Sequence, residues 1–293
     1  MGKTYILSND KITIKVNDLG AELTELSKND TNFNYLWDGN AAFWTGQSPV
    51  LFPFVGKLKN NEYKYNGSTY PMRQHGFARN CEFELLSSKE DEIWHRLISS
   101  DVTRMVYPFD FILDIGYKLE DTKVIVMWKV KNKGTDIMHF SIGAHPAFLC
   151  PLYDNEKQTD YSIDFHTNNP ITYLLVDENG YIDKTVHALD TTNGVFHITD
   201  TIFDNDALII EQNQTQRISF VGPNKKAYVS VSFDAPLFGL WSPSKRSAPF
   251  ICIEPWYGRS DSATFNGTLE QREWSNTLKS KEIFERSYTI ELL

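Results

Sequence analysis

At 293 residues, 41% of them hydrophobic and 14% aromatic, the chain can bury a large core, and one all-β domain of this length is ordinary. A formal net charge of −9 without any basic run excludes a nucleic-acid partner gripped through its phosphates. Cys81, Cys150 and Cys252 are too scattered for a disulfide framework or a structural zinc, and no apolar run approaches the roughly 18 residues of a membrane helix.

The N-terminus turns polar too early for a signal peptide. The expectation is therefore a cytoplasmic protein, a monomer or homodimer, with no membrane partner.

Alternation of period two dominates the chain. Lys11–Val16 places Ile12, Ile14 and Val16 on one face of a strand, and Ala21–Glu25 reads as its partner beyond a turn at Gly20. Asn66-Gly67 sits between the aromatic arms of Tyr63–Met72. Asn-Gly accepts the positive φ angles of a type I′ turn, so a hairpin is predicted there. Further strands are predicted at 81–85, 93–98, 109–115, 123–130, 161–165, 207–210, 217–220, 227–233, 250–256 and 284–292. Leu269–Leu278 has at most the pattern of a short helix or turn. Many short strands without a linker or composition shift indicate an all-β sandwich, one domain over residues 1–293.

The familiar catalytic signatures are missing: there is no GxSxG, GxxxxGK, GxGxxG or HExxH, and no His-x-His pair. Four stretches depart from ordinary strands. The apolar run Ser48–Gly56 ends in Lys57, whose ammonium is either a solvated charge or a ligand at a strand end. Pro71–Arg79 collects Arg73, His75 and Arg79 around Gly76, either as a solvated loop or as the wall of a site. In Phe140–Phe148, His145 is the one ionisable group among small and apolar residues, bracketed by Gly143 and Pro146. It reads equally as a core histidine or as a proton carrier near neutral pH. Glu254 follows four apolar residues and precedes Pro255 and Trp256. If buried, its carboxyl would have a raised pKa suited to a general base; the plainer reading is a strand-end glutamate in water. Two histidines and a carboxylate among aromatics suggest acid–base chemistry on a small polar molecule.

In these stretches the chain resembles the aldose 1-epimerase (galactose mutarotase) family, and most of all its LacX-like branch. The resemblance is carried by Phe52–Lys57, His75–Arg79, Gly143–Phe148, Phe203–Leu208 and Cys252–Trp256, in that order over nearly the whole length. It implies a large antiparallel β-supersandwich with a sugar in a cleft on one face. Glu254 would be the general base on the anomeric hydroxyl and His145 the general acid on the ring oxygen. His75, Lys57, Asp206, Arg79, Arg73 and Trp256 would bind the substrate, with no cofactor and no metal. Gly-Lys57 replaces the Gly-Arg of better-known galactose mutarotases, a point charge in place of a fork. The segment around Asp206 departs from their Asp-His pattern, which leaves Asp204 open as well.

The implied partner is an aldohexose, or its 6-phosphate if Arg73, Arg79 or Lys57 grips a phosphate. A non-catalytic sugar-binding module and a metalloenzyme with scattered ligands are the other readings.

Overall fold

The structure is a computed structural model and describes residues 2–293. Two large sheets, antiparallel throughout, face each other across the core. The nine-stranded sheet runs in the order Val195–His197, Ser162–Asp164, Arg217–Val221, Ala227–Phe233, Ile283–Leu292, Lys123–Asn132, Phe111–Glu120, Glu92–Ile98 and Glu84–Ser88. The eight-stranded sheet runs from Ile182–Ala188 through Thr172–Val176, Leu208–Glu211, Leu237–Trp241 and Phe250–Tyr257 to Ile142–Ala144 and Val50–Leu51. Its eighth strand, Ala147–Leu149, also pairs with Phe250–Tyr257.

Alternation makes the sandwich. Lys123–Asn132 buries Val124, Val126, Trp128 and Val130 while Lys123 is exposed and Ile125, Met127, Lys129 and Lys131 are only half-buried, the in–out pattern of a sheet with one face on the core. Phe52, Phe54, Tyr107, Phe111 and Phe140 are fully buried between the sheets, several of them edge to face. The expected hairpin forms with Asn66 and Gly67 at φ 46° and 74°, and Ile12–Asn17 pairs with Leu23–Lys28.

One expectation is corrected. Strand 81–85 begins only at Glu84 and runs to Ser88 across a bulge, because Cys81 is tied into a turn, its amide N–H donating to the Ala78 carbonyl. At Leu269–Leu278, where at most a short helix or turn was expected, a single 3₁₀ turn forms at Leu269–Gln271, followed by the strand Asn276–Leu278. Arg272 turns inward to Asp261 and Trp274 takes φ 60°, so helical geometry cannot continue. Among the strands not anticipated, the longest include Thr172–Val176 with Ile182–Ala188, and Leu237–Trp241. All three lie in the eight-stranded sheet.

Candidate active site

Phe250–Tyr257 is buried along its whole length, and its alternation divides the labour. Ile251 and Ile253 face the inter-sheet core, while Phe250 and Cys252 belong to a separate cluster on the other side. Glu254 and Trp256 share that second face by the period of two. On the neighbouring strands Gly143 pairs with Trp256 and Ala147 with Cys252. The register on both sides puts His145 directly across from Glu254. Pro146, which has no amide hydrogen, interrupts pairing at that point, as the sequence suggested; its carbonyl still accepts from Ile253. Side chains of opposed residues lie close, and His145 Nε2 is 3.3 Å from Glu254 Oε2.

A glycine on each side clears the floor beside them. A Cβ on Gly143 would meet the Trp256 indole at 2.6 Å, and one on Gly239 would meet it at 2.5 Å. Trp256 therefore lies flat across its neighbours. Trp44 stacks on the His145 ring at 4.7 Å between centroids and Trp241 meets it edge-on at 5.3 Å.

These residues line a cavity of about 500 Å³, within the range of small-molecule sites. A larger hollow of about 910 Å³ on the outer face of the nine-stranded sheet holds no histidine.

The His75 segment closes one wall. Gly76 approaches the Phe52 carbonyl so closely that a Cβ would sit 2.2 Å from its oxygen; with φ 72° the position requires glycine. Phe77 and Ala78 both donate to that carbonyl, which sets the loop against the sheet. His75, itself at φ 66°, accepts at Nδ1 from the Gly56 amide at 3.1 Å. That contact places the proton of the neutral ring on Nε2, beside the Gln74 amide at 3.2 Å.

Charge is arranged against solvation. Burial pushes Glu254 well above the usual carboxylate range, with Arg79 pulling it down and Asp206 raising it further. Burial holds His145 well below the usual imidazole value, reinforced by His75 and Arg79. Burial and then Arg79 do the same for His75. The Glu254 and His145 shifts both run toward the uncharged forms, a carboxyl beside a neutral imidazole, and the 3.3 Å contact couples the two groups. That contact is poorly aligned, leaving Glu254 Oε2 without a hydrogen-bond partner, and His145 Nδ1 has none either. Arg79 Nε and Nη2 are buried and unpartnered as well.

Of the residues singled out in the sequence, Glu254, His145, His75, Lys57, Asp206, Arg79 and Trp256 all line the cavity. Arg73 does not: it is exposed and lines a neighbouring shallow hollow. Asp204 lines another hollow, where its carbonyl accepts from Ser244 Oγ, whereas Asp206 at φ 71° is on the cavity rim. Lys57 Nζ is occupied by the Asn179 carbonyl at 2.7 Å.

Sequence reasoning missed Trp44, Trp241, Gln74, Ser260 and the hairpin turn carrying Glu178 and Asn179. Trp241 ends the alternating segment Leu237-Phe-Gly-Leu-Trp, a strand signal that was available. Trp44 sits in a loop, where no period marks it.

Fold and site together define a β-supersandwich of the galactose mutarotase-like class, with a buried imidazole–carboxylate pair in an aromatic-walled cleft. The Aldose 1-epimerase family model matches residues 3–281, and the chain belongs to that family. It is 30% identical to the chromosomal LacX protein of Lactococcus lactis subsp. lactis, over 99% of both chains. Among solved structures it is similar to a galactose mutarotase related enzyme from Lactobacillus acidophilus, at 32% identity and TM-score 0.94 over 99% of this chain and 97% of that one. A galactose mutarotase-like protein from Lactobacillus casei superposes with TM-score 0.94 at 26% identity, over 99% of this chain and 100% of the other.

Proposed function

We propose that the protein is an aldose 1-epimerase acting on an unphosphorylated aldohexose. The observation that carries this reading is the register-opposed pair His145–Glu254, 3.3 Å apart in the cavity. The ring oxygen and the anomeric hydroxyl share one carbon, so an acid and a base on adjacent strands can serve both. Ring opening starts from the tautomer of the pair that burial disfavours, whose carboxylate Arg79 helps to stabilise. With Glu254 ionised and His145 protonated, Glu254 takes the proton of the anomeric hydroxyl while His145 gives one to the ring oxygen. The bond between C1 and the ring oxygen breaks and an open-chain aldehyde forms. Rotation about C1–C2 and reclosure, with the two proton transfers reversed, yield the other anomer and return the pair to its starting state.

His75 is suited to donate from Nε2 to a sugar oxygen. Trp256 and Trp241 offer flat apolar surface to the face of the ring. Arg79 stabilises the ionised form of Glu254. Three observations favour an uncharged sugar over its 6-phosphate. Arg73 is outside the cavity, Lys57 is already bonded to Asn179, and Asp206 and Glu178 add negative charge to the same walls.

Polarimetry on freshly dissolved α-glucose and α-galactose, against glucose 6-phosphate, tests the proposal. Acceleration of the free sugars is expected. Acceleration of the phosphate alone would replace it with the phosphorylated substrate, and no acceleration of any would leave a binding module.

A further inference from the structure

Cys252 takes no part in the proton transfers, yet it stands two residues before Glu254 on the same face of the strand. Its Sγ, a ring nitrogen of His145 and a carboxylate oxygen of Glu254 all lie within 4.8 Å of one another, and all three residues are buried. Donors around a tetrahedral zinc are about 3.3–3.8 Å apart, so a contraction of about 1 Å would close the set. Glu254 Oε2 and His145 Nδ1 lack hydrogen-bond partners. Both residues line the cavity while Cys252 lies behind them, which supplies an entry path and leaves a fourth position open on the cavity side.

We propose that His145, Cys252 and Glu254 form a site for a soft divalent cation of the zinc class, and that its occupation reversibly inhibits the enzyme. The inhibition, though not the site, rests on the catalytic reading above: a metal that engages His145 and Glu254 removes the acid and the base together. Thiolate, imidazole and carboxylate are the donor types that zinc and cobalt select. On binding, the Cys252 thiol forms its bond to the metal as a thiolate and its proton passes to solvent. Arg79 faces the same group and opposes a cation. Against it stand the Cys252 thiolate, Glu254 and the nearby Asp206, so the charges present sum to −2 and a divalent ion neutralises them.

Zinc is titrated against mutarotation by the full chain stripped of metal with a chelator, and Cys252→Ser and Cys252→Ala are compared with wild type. In parallel, cobalt binding is followed by its thiolate charge-transfer absorption, which needs no turnover. The expected result is inhibition at micromolar zinc, reversed by chelator. Either Cys252 variant should keep its turnover within about twofold and need at least tenfold more zinc for the same inhibition. The cobalt–thiolate band should vanish in both variants and persist in Cys81→Ser.

Equal zinc sensitivity in wild type and variants, or no binding at millimolar zinc, would overturn the proposal. So would activity that disappears on chelation and returns with zinc, since the metal would then be required. A cobalt–thiolate band dependent on Cys252 in a protein without mutarotation would keep the site and reject the catalytic reading instead.

Discussion

Two arginine clusters in this molecule, both carried on loops and turns, treat their charges in opposite ways. Behind the cavity, Arg259 donates to Glu211, Glu273 and the Ser260 carbonyl. Arg272 donates to Asp261 at 2.7 Å and to the Arg259 carbonyl at 2.9 Å, with its guanidinium over the Phe54 ring. In the cavity, Arg79 leaves two buried nitrogens unpartnered, beside a glutamate and a histidine that also hold unpartnered atoms. Breaking one partner of a satisfied buried cluster strands a charge, whereas unsatisfied polar groups already carry their desolvation cost in the folded state. On the proposed reading, the satisfied cluster builds the frame and the unsatisfied one is kept for a ligand.

The largest effect expected is on turnover. Glu254→Gln or His145→Asn should reduce kcat by about 10²–10⁴-fold, the range associated with a positioned proton-transfer group, as read by polarimetry. The fold should survive, and Glu254→Gln should gain stability relative to wild type as pH rises. Folded Glu254 binds its proton more tightly than the unfolded chain, whose carboxyl titrates near 4.5. Wild-type stability from this group is therefore complete below that pH and is lost as pH climbs towards the folded value. The glutamine variant escapes that loss, so thermal melts should show its advantage widening from pH 4.5 upward. A variant that melts below wild type at pH 8 would contradict the proposed burial cost.

Next comes the frame. Arg259→Met should destabilise the protein by about 3–5 kcal/mol, because Glu211 is left buried without its cation; denaturant titration measures this. The same change at Arg79 should cost less than that, since no hydrogen bond is lost and only the through-space attraction to Glu22 and Glu254 disappears. Its effect should fall on catalysis. Removing the cation raises the Glu254 pKa further, so the acid limb of kcat/KM should move to higher pH, with activity at neutrality reduced about tenfold. If Arg79→Met unfolded the protein as readily as Arg259→Met, the contrast between the two clusters would collapse.

The sheet of the frame was legible in the sequence where alternation was clean, as in Lys123–Asn132 and Ile12–Asn17. It was illegible in the shortest strands, and at Leu237–Trp241 an available alternation was passed over. Three-residue strands such as Ile142–Ala144 carry too few positions to display a period. Of the site, residue types and turn signals brought forward His75, His145 and Glu254 as candidates. What no spacing could supply was the register that sets residues 145 and 254 face to face, or the convergence of Cys252 on the same pair. Arg73 failed for the converse reason: nearness in sequence to His75 does not fix which way a side chain leaves a turn.

The smallest effect should be at the rim, where Lys57 belongs to neither cluster. Its ammonium donates to the Asn179 carbonyl at 2.7 Å and lies over the Tyr181 ring at 5.4 Å. It thus holds the hairpin turn that carries Glu178 against the cavity mouth. The ammonium is largely solvated, so the contact should be worth about 1 kcal/mol or less. Lys57→Met should then raise KM for a free aldose no more than about fivefold and leave kcat unchanged, because the lysine bonds to backbone and not to the reacting carbon. Were the substrate a sugar phosphate gripped by Lys57, the same variant would lose a charge-assisted contact to the ligand itself. The KM for glucose 6-phosphate would then rise far more steeply than that for glucose. Measuring both constants on one variant therefore tests whether this lysine serves the frame or the ligand.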